Sequence, residues 1–252
     1  MTSEVALITG ASRGIGAAIA LRLARSGRSV AINSYPSKQR VDEARTVADR
    51  IAEMGRPTTV LPADVGVPTQ VNQMFNDCEE RLGVVRTLVL NAAIPARGPW
   101  DEFSDFEWDR VIAVNLLGAV YCARRASSRW GDDTRGVIVT VSSILAELGS
   151  VGALPYTTTK AALVGFTRSL ARELGPAGSR VNCVTPGAIR TEEENESVLD
   201  QRRADEDALF RQALKRRGVA DDIAAAVNFL TSSDSSFITG QTICVDGGWH
   251  LK

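Results

Sequence analysis

The chain is short of histidine and lysine. Its single histidine, His250, excludes a histidine-based catalytic triad and a multi-histidine metal site, so any proton chemistry must use another side chain. Only four of the 29 basic residues are lysines (Lys38, Lys160, Lys215 and Lys252), which makes a lysine beside other reactive groups worth notice. The four cysteines, Cys78, Cys122, Cys183 and Cys244, are far apart and form no C-x-x-C pair, the pattern of buried free thiols. No apolar run approaches the ~18 residues of a membrane helix. The N-terminal residues lead directly into an apolar strand, and the expectation is a cytoplasmic protein with no membrane partner. A net charge of -1 without a sustained basic stripe sets nucleic acid aside as a partner.

What is present is alternation. Apolar runs without helical phase at Val5–Thr9, Ser29–Asn33, Thr58–Leu61, Thr87–Leu90, Val137–Ser142, Arg180–Val184 and Thr242–Val245 are separated by helical patterns. Strands spaced by helices imply right-handed crossovers, and hence a doubly wound α/β fold with a seven-stranded parallel sheet covered on both faces. No linker divides the 252 residues, so residues 1–252 read as one domain. One stretch departs from the alternation. Between Arg190 and Arg217 the chain is dense in charge and reads as helical near Ala204 to Leu214. It follows a strand's C-terminal end, where α/β sheets bind ligands, and residues 188–217 are expected to form a substrate lid.

The turn after the first strand, Thr9-Gly10-Ala11-Ser12-Arg13-Gly14-Ile15-Gly16, has glycines where a chain must turn tightly, approach a pyrophosphate and pack a helix on the sheet. Further on, Tyr156 and Lys160 stand four residues apart, so a helix places them on one face, where the ammonium favours the phenolate. Free phenol, with a pKa near ~10, needs such a neighbour to trade protons at neutral pH. Ser143 lies thirteen residues before the tyrosine at the end of an apolar run, with Ser142 competing for the same place on the opposite strand face.

These motifs, taken with Asp64-Val65, Asn91-Ala92-Ala93, Asn115, Pro186-Gly187-Ala188-Ile189-Arg190-Thr191 and the closing Ile238-Thr239-Gly240-Gln241 and Val245-Asp246-Gly247-Gly248, occur in the order and spacing of one family. From Val5 to Gly248 the chain resembles the short-chain dehydrogenase/reductases in their compact form. The resemblance implies a Rossmann fold and a catalytic set in which Tyr156 supplies the proton. Lys160 tunes it and holds the nicotinamide ribose, Ser143 steadies the substrate oxygen, and Asn115 holds a water linking Lys160 to solvent. It selects Ser143 over Ser142, and it assigns cofactor contacts to Gly10, Ser12, Arg13, Gly14, Ile15 and Gly16 in the turn. Ser34 is assigned to the position after the second strand, Asp64 and Val65 to adenine, Asn91 and Ala92 to the ribose, Ile189 and Thr191 to the nicotinamide carboxamide, and Pro186 and Gly187 to the cofactor site beside them.

Ser34 stands where NAD-using relatives carry an acid. An acid there would repel the extra phosphate of NADP by roughly 4 kcal/mol for charges ~4 Å apart at an effective dielectric near 20. Its absence, with Arg13 as a positive partner and Lys38 and Arg40 as weaker ones, points to NADP(H). The expected activity is reduction of a ketone to a secondary alcohol. A free cyclic or polyketide-like ketone, in a pocket lined by Trp100 and Phe103, competes with a 3-oxoacyl chain on acyl carrier protein, for which Arg124, Arg125 and Arg129 offer a docking face. An NAD-dependent alcohol dehydrogenase and a non-catalytic NADP sensor are the other readings. Two positions depart from the family pattern: Leu90 and Ala93 replace the usual asparagine and glycine around Asn91-Ala92. Relatives of this size commonly assemble as homotetramers, and Ala161, Ala162, Leu163 and Phe166 offer a small and apolar surface for that, although the same pattern would serve an intramolecular contact.

Overall fold

A computed structural model of the chain describes residues 4–131, 134–192 and 201–251. The strands are β1 (Val5–Ile8), β2 (Ser29–Ser34), β3 (Thr58–Pro62), β4 (Val85–Leu90), β5 (Val137–Val141), β6 (Arg180–Pro186) and β9 (Thr242–Val245), all parallel in one sheet of order β3-β2-β1-β4-β5-β6-β9. The seven expected runs are these seven strands. A short parallel pair, β7 (Ile189–Arg190) with β8 (Gly218–Val219), stands apart from them.

Strands buried on both faces need apolar side chains at every position, which is why the runs showed no alternation. Successive residues point to opposite sides: Leu7 joins a core with Phe75, Leu88 and Ile138, whereas Ile8 joins one with Ile19, Ile32, Val89 and Ile223. Helices α1 (Gly14–Arg25), α2 (Lys38–Glu53), α3 (Pro68–Arg81), α4 (Asp105–Ile112), α5 (Gly118–Ser127) and α7 (Leu154–Leu174), with a single turn α6 (Leu145–Leu148), cover the sheet together with the helix Ala220–Thr231. Of the small and apolar residues noted on α7, Leu163 is buried in the first core with Phe166 packed against it, while Ala161 is exposed. The apolar phase of α7 there serves the intramolecular core.

The strand order reverses between β1 and β4, leaving a crevice at the strands' C-terminal ends where open α/β sheets take ligands. No helix among the described residues is long and apolar enough to cross a membrane.

Candidate active site

The phosphate turn is held by two asparagines and a threonine. Gly10 and Gly14 adopt positive φ, 62° and 57°, which a side chain would strain. The Gly10 N–H donates to Asn33 Oδ1 (3.1 Å), and Asn33 Nδ2 donates to the carbonyls of Ala63 (3.0 Å) and Leu61 (3.2 Å), so one buried amide ties the turn to β2 and β3. Thr9 Oγ1 accepts from the N–H groups of Asn91 and Ala92, both at 3.0 Å. Asn91 Nδ2 donates to the carbonyls of Thr9 and Gly10, again at 3.0 Å. Expected at the ribose, the Asn91 amide is therefore committed to clamping the turn.

Close packing explains Gly16, where an added Cβ would sit 2.4 Å from the Gly10 carbonyl oxygen and 2.6 Å from Asn91 Nδ2. Helix α1 opens at Gly14 with Arg13 as its N-cap, whose own side chain caps none of its N–H groups. Those donors and the positive end of the helix suit a pyrophosphate, so the residues present fit a dinucleotide. The Thr191 methyl lies 3.7 Å from where a Gly14 Cβ would be, which brings the segment after β6 over the same turn.

On the other side of the crevice, Lys160 is buried on α7, with Nζ donating to the Val141 carbonyl (2.7 Å) and 5.5 Å from the Tyr156 ring centroid. Ser142 Oγ donates to the Lys160 carbonyl (2.7 Å), joining β5 to α7. Its neighbour Ser143 accepts from the Leu145 N–H (3.2 Å), so the two serines divide as the alternation of strand side chains requires.

Asn115 interrupts the α4–α5 helix in a π-helical turn, Ala113–Leu117. Buried there, its Oδ1 accepts from the Ile94 N–H (2.8 Å), while Nδ2 donates to the Ile94 carbonyl (3.1 Å) and to Thr159 Oγ1 (3.3 Å). The extra residue of the turn lets the amide reach the loop after β4. Thr159 in turn donates to the Tyr156 carbonyl (2.8 Å), linking the asparagine to the first turn of α7. Sequence reasoning missed Thr159, Thr9 and the double role of Asn33. Each is a small polar residue at a buried strand or helix position, which was the available signal.

At the adenosine end, Asp64 meets Arg110 through Oδ2 (2.7 Å) and accepts from the Gly66 N–H through Oδ1 (2.9 Å). Arg110 lies 6.0 Å from the centroid of Tyr35, an exposed residue one past β2. Ser34, expected to contact the cofactor, is fully buried and its Oγ has no hydrogen-bond partner. The side chain presented at this edge of the crevice is Tyr35. Val65 is buried too, against Gly118, where an added Cβ would come within 2.8 Å of it.

Past β6, Ile189 is buried, and Gly187 lets β6 approach β9: a Cβ there would lie 2.7 Å from Asp246 Cα. The Pro186 carbonyl accepts from the Ile144 N–H (2.9 Å), fixing the loop that follows Ser143. Among the described residues the charged stretch forms the helix Gln201–Arg211, which ends three residues earlier than expected; the acids at 193, 194, 196 and 200 lie outside the described residues. Asp205 on this helix pairs with Arg190 and, at 2.6 Å, with Arg217, beside the β7–β8 pair. The hydrogen bond from Arg190 leads the effects that hold the Asp205 carboxyl below the usual carboxylate range.

The loops after β4 and β5 meet through a bond from the Gly98 N–H to the Gly152 carbonyl (3.0 Å). Trp100, Leu148, Val151 and Leu154 are exposed there, while Phe103 is half-buried and packs against Gly98. Among the described residues no cluster of histidine, cysteine, aspartate or glutamate could hold a metal ion.

A glycine turn at a strand-order reversal, with a tyrosine and a buried lysine four residues apart on α7, defines a dinucleotide-dependent oxidoreductase class. Residues 10–250 match a family described as Enoyl-(Acyl carrier protein) reductase. The chain is 37% identical to a 3-oxoacyl-[acyl-carrier-protein] reductase of Staphylococcus epidermidis, covering 99% of this chain and 100% of the relative. It is 36% identical to a short chain dehydrogenase from Burkholderia cenocepacia solved in complex with NADP, covering 98% of each chain with a TM-score of 0.90. Another match, 35% identical over 98% of each chain with a TM-score of 0.91, is a blue fluorescent protein from a metagenomic library solved with NADPH. The chain belongs to the short-chain dehydrogenase/reductase family and is an oxidoreductase.

Proposed function

We propose that the protein is a cytoplasmic NADP(H)-dependent carbonyl reductase that converts a ketone to a secondary alcohol. The observation that supports this reading is the buried Lys160 ammonium, held by the Val141 carbonyl and 5.5 Å from the Tyr156 ring, on a helix that Ser142, the neighbour of Ser143, bonds to the end of β5. The cofactor, when bound, supplies the hydride. Tyr156 gives the carbonyl oxygen its proton, and Lys160 stabilises the phenolate left behind. Ser143 donates a hydrogen bond to the same oxygen as charge develops on it. Asn115 positions Ile94 and, through Thr159, the first turn of α7. Residues 1–252 work as one domain, with 188–217 as the lid and a homotetramer as the assembly.

The substrate is a free ketone with an apolar body, received by Trp100, Leu148, Val151 and Leu154 beside Tyr156. A carrier-bound 3-oxoacyl chain is the second reading, favoured by the name of the Staphylococcus relative. Against it, two of the three docking arginines already have a partner: Arg125 and Arg129 both reach Glu79, at 2.9 and 3.3 Å. The test is NADPH consumption against cyclic diketones, polyketide-like ketones, β-ketoacyl thioesters and an enoyl thioester. Free ketones are expected to be turned over with the highest kcat/KM, and NADPH to outperform NADH. Fastest turnover of the β-ketoacyl thioester would establish the second reading, and fastest turnover of the enoyl thioester, or NADH equal to NADPH, would overturn the proposal.

A further inference from the structure

The edge of the crevice that lacks an acid at position 34 has one a helical turn and a half further on. Glu43 on α2 takes Arg40 Nη1 with both oxygens, at 2.9 and 3.2 Å, and also accepts from Gln39 Nε2 at 3.0 Å. Helix α2 starts directly after β2, whose last residues are bonded to the glycine turn: the Ala11 N–H donates to the Asn33 carbonyl at 2.8 Å, beside the Gly10 bond to the Asn33 side chain. Helices α1 and α2 pack against each other, with Arg13 at the N-cap of α1. The Glu43 carboxyl is held below the usual carboxylate range; against the opposing effect of its burial, hydrogen bonds from Arg40 and Gln39 and the positive charges of Arg40 and Arg13 lower it. Arg13 is thus near enough for its charge to act on Glu43.

We infer that Glu43 sets how strongly the protein favours a 2'-phosphorylated cofactor, by holding Arg40 and partly neutralising Arg13 in competition with the phosphate. The inference rests on the proposal that the cofactor is NADP(H). With Glu43 ionised, the two arginines and the carboxylate sum to one positive charge; without it they sum to two. A 2'-phosphate dianion must draw Arg40 away from a carboxylate that already holds it with two oxygens, and it meets a like charge while doing so. An adenosine without that phosphate does neither. The effect of Glu43 is therefore confined to the 2'-phosphate, whereas a salt bridge that merely stiffened α2 would act on both ligands alike.

The test is calorimetric titration of 2',5'-ADP and 5'-AMP, probes of the adenosine end alone, into wild type and the variants Glu43→Gln and Arg40→Gln. Removing a charge ~8 Å from a dianion in water-like screening gives about a fivefold gain. Glu43→Gln is expected to bind 2',5'-ADP tighter by that factor with 5'-AMP unchanged, the gain shrinking at high salt. Arg40→Gln is expected to weaken 2',5'-ADP several-fold, again with 5'-AMP unchanged. Unchanged or weaker 2',5'-ADP binding in Glu43→Gln, or an equal change for both ligands, overturns the inference. Wild-type affinities equal for the two ligands would instead remove the NADP(H) reading, and the response of Glu43→Gln would still decide the role of Glu43.

Discussion

Replacing Asn33 by aspartate keeps its shape and its acceptor for the Gly10 N–H but removes the two N–H donors that satisfy the Ala63 and Leu61 carbonyls. Asn33 is 1% exposed, so water cannot replace those bonds. Two net hydrogen bonds at about 1 kcal/mol each, plus the cost of setting a carboxylate against carbonyl oxygens, amount to about 3 kcal/mol at pH 7. For a chain of this length that is a fall of about 9 °C in Tm. The loss carries its own pH signature. Burial among carbonyls raises the new carboxyl's pKa above its unfolded value of ~3.9, so the folded variant holds a proton that the unfolded chain releases as pH rises. The gap to wild type must therefore widen above about pH 4 and narrow below it, where the protonated carboxyl can donate one of the two bonds again. Urea unfolding of both proteins from pH 4 to pH 8 reads this directly. A gap below about 1 kcal/mol at pH 7 would refute the reasoning, as would a gap of constant size across the range.

Tyr156→Phe is expected to abolish ketone reduction while leaving cofactor titration unchanged; retained turnover would remove the phenol from the chemistry. Thr159→Val breaks the link between Asn115 and the first turn of α7, and should lower kcat several-fold with little change in cofactor affinity, measured by steady-state kinetics and fluorescence titration. Burial pushes the Cys78 and Cys122 thiols up to about 12 from an ordinary 9.0. Folded thiols then keep protons that unfolded ones release above pH 9, so stability falls from there toward pH 12; these two together cost about 3 kcal/mol by pH 10, and Cys122→Ala recovers about 1.4 kcal/mol of it in urea unfolding at that pH. Asp205→Asn unties the helix Gln201–Arg211 from Arg190 and Arg217, and the expected result is a raised KM for the ketone with NADPH affinity unchanged.

The sheet was legible because strands buried on both faces carry unbroken apolar runs, and each expected run is a strand of the observed sheet. The Ser143, Tyr156 and Lys160 spacing was legible because a helix and a strand end convert residue counts into position. What the spacing could not give was how each polar group is used. Asn91 and Asn33 differ little as letters, yet one clamps the glycine turn through Thr9 and Gly10 and the other joins that turn to β2 and β3. Nor could it show that Ser34 lies inside the fold and Tyr35 on its edge. Leu163 makes a related point: small and apolar residues on one helix serve a core or an interface with the same pattern, and only the packing distinguishes them.

Arginines present the same problem in its sharpest form. Twenty-nine basic and thirty acidic residues nearly cancel, and the cancellation is local. Arg110 is engaged by Asp64, Arg125 and Arg129 by Glu79, Arg190 and Arg217 by Asp205, and Arg40 by Glu43. A guanidinium with a carboxylate already in its fork is a poor docking point for an acidic partner, because the partner must displace the carboxylate and meet its charge. Arg125 and Arg129 are for that reason weaker docking points for an acidic carrier than unpaired arginines would be, while Arg40 is opened only by a ligand with more charge than Glu43. A 2'-phosphate dianion meets that condition, and a ribose hydroxyl does not. The carboxylates therefore decide what the arginines recognise, and they lie at positions that a scan for basic residues passes over.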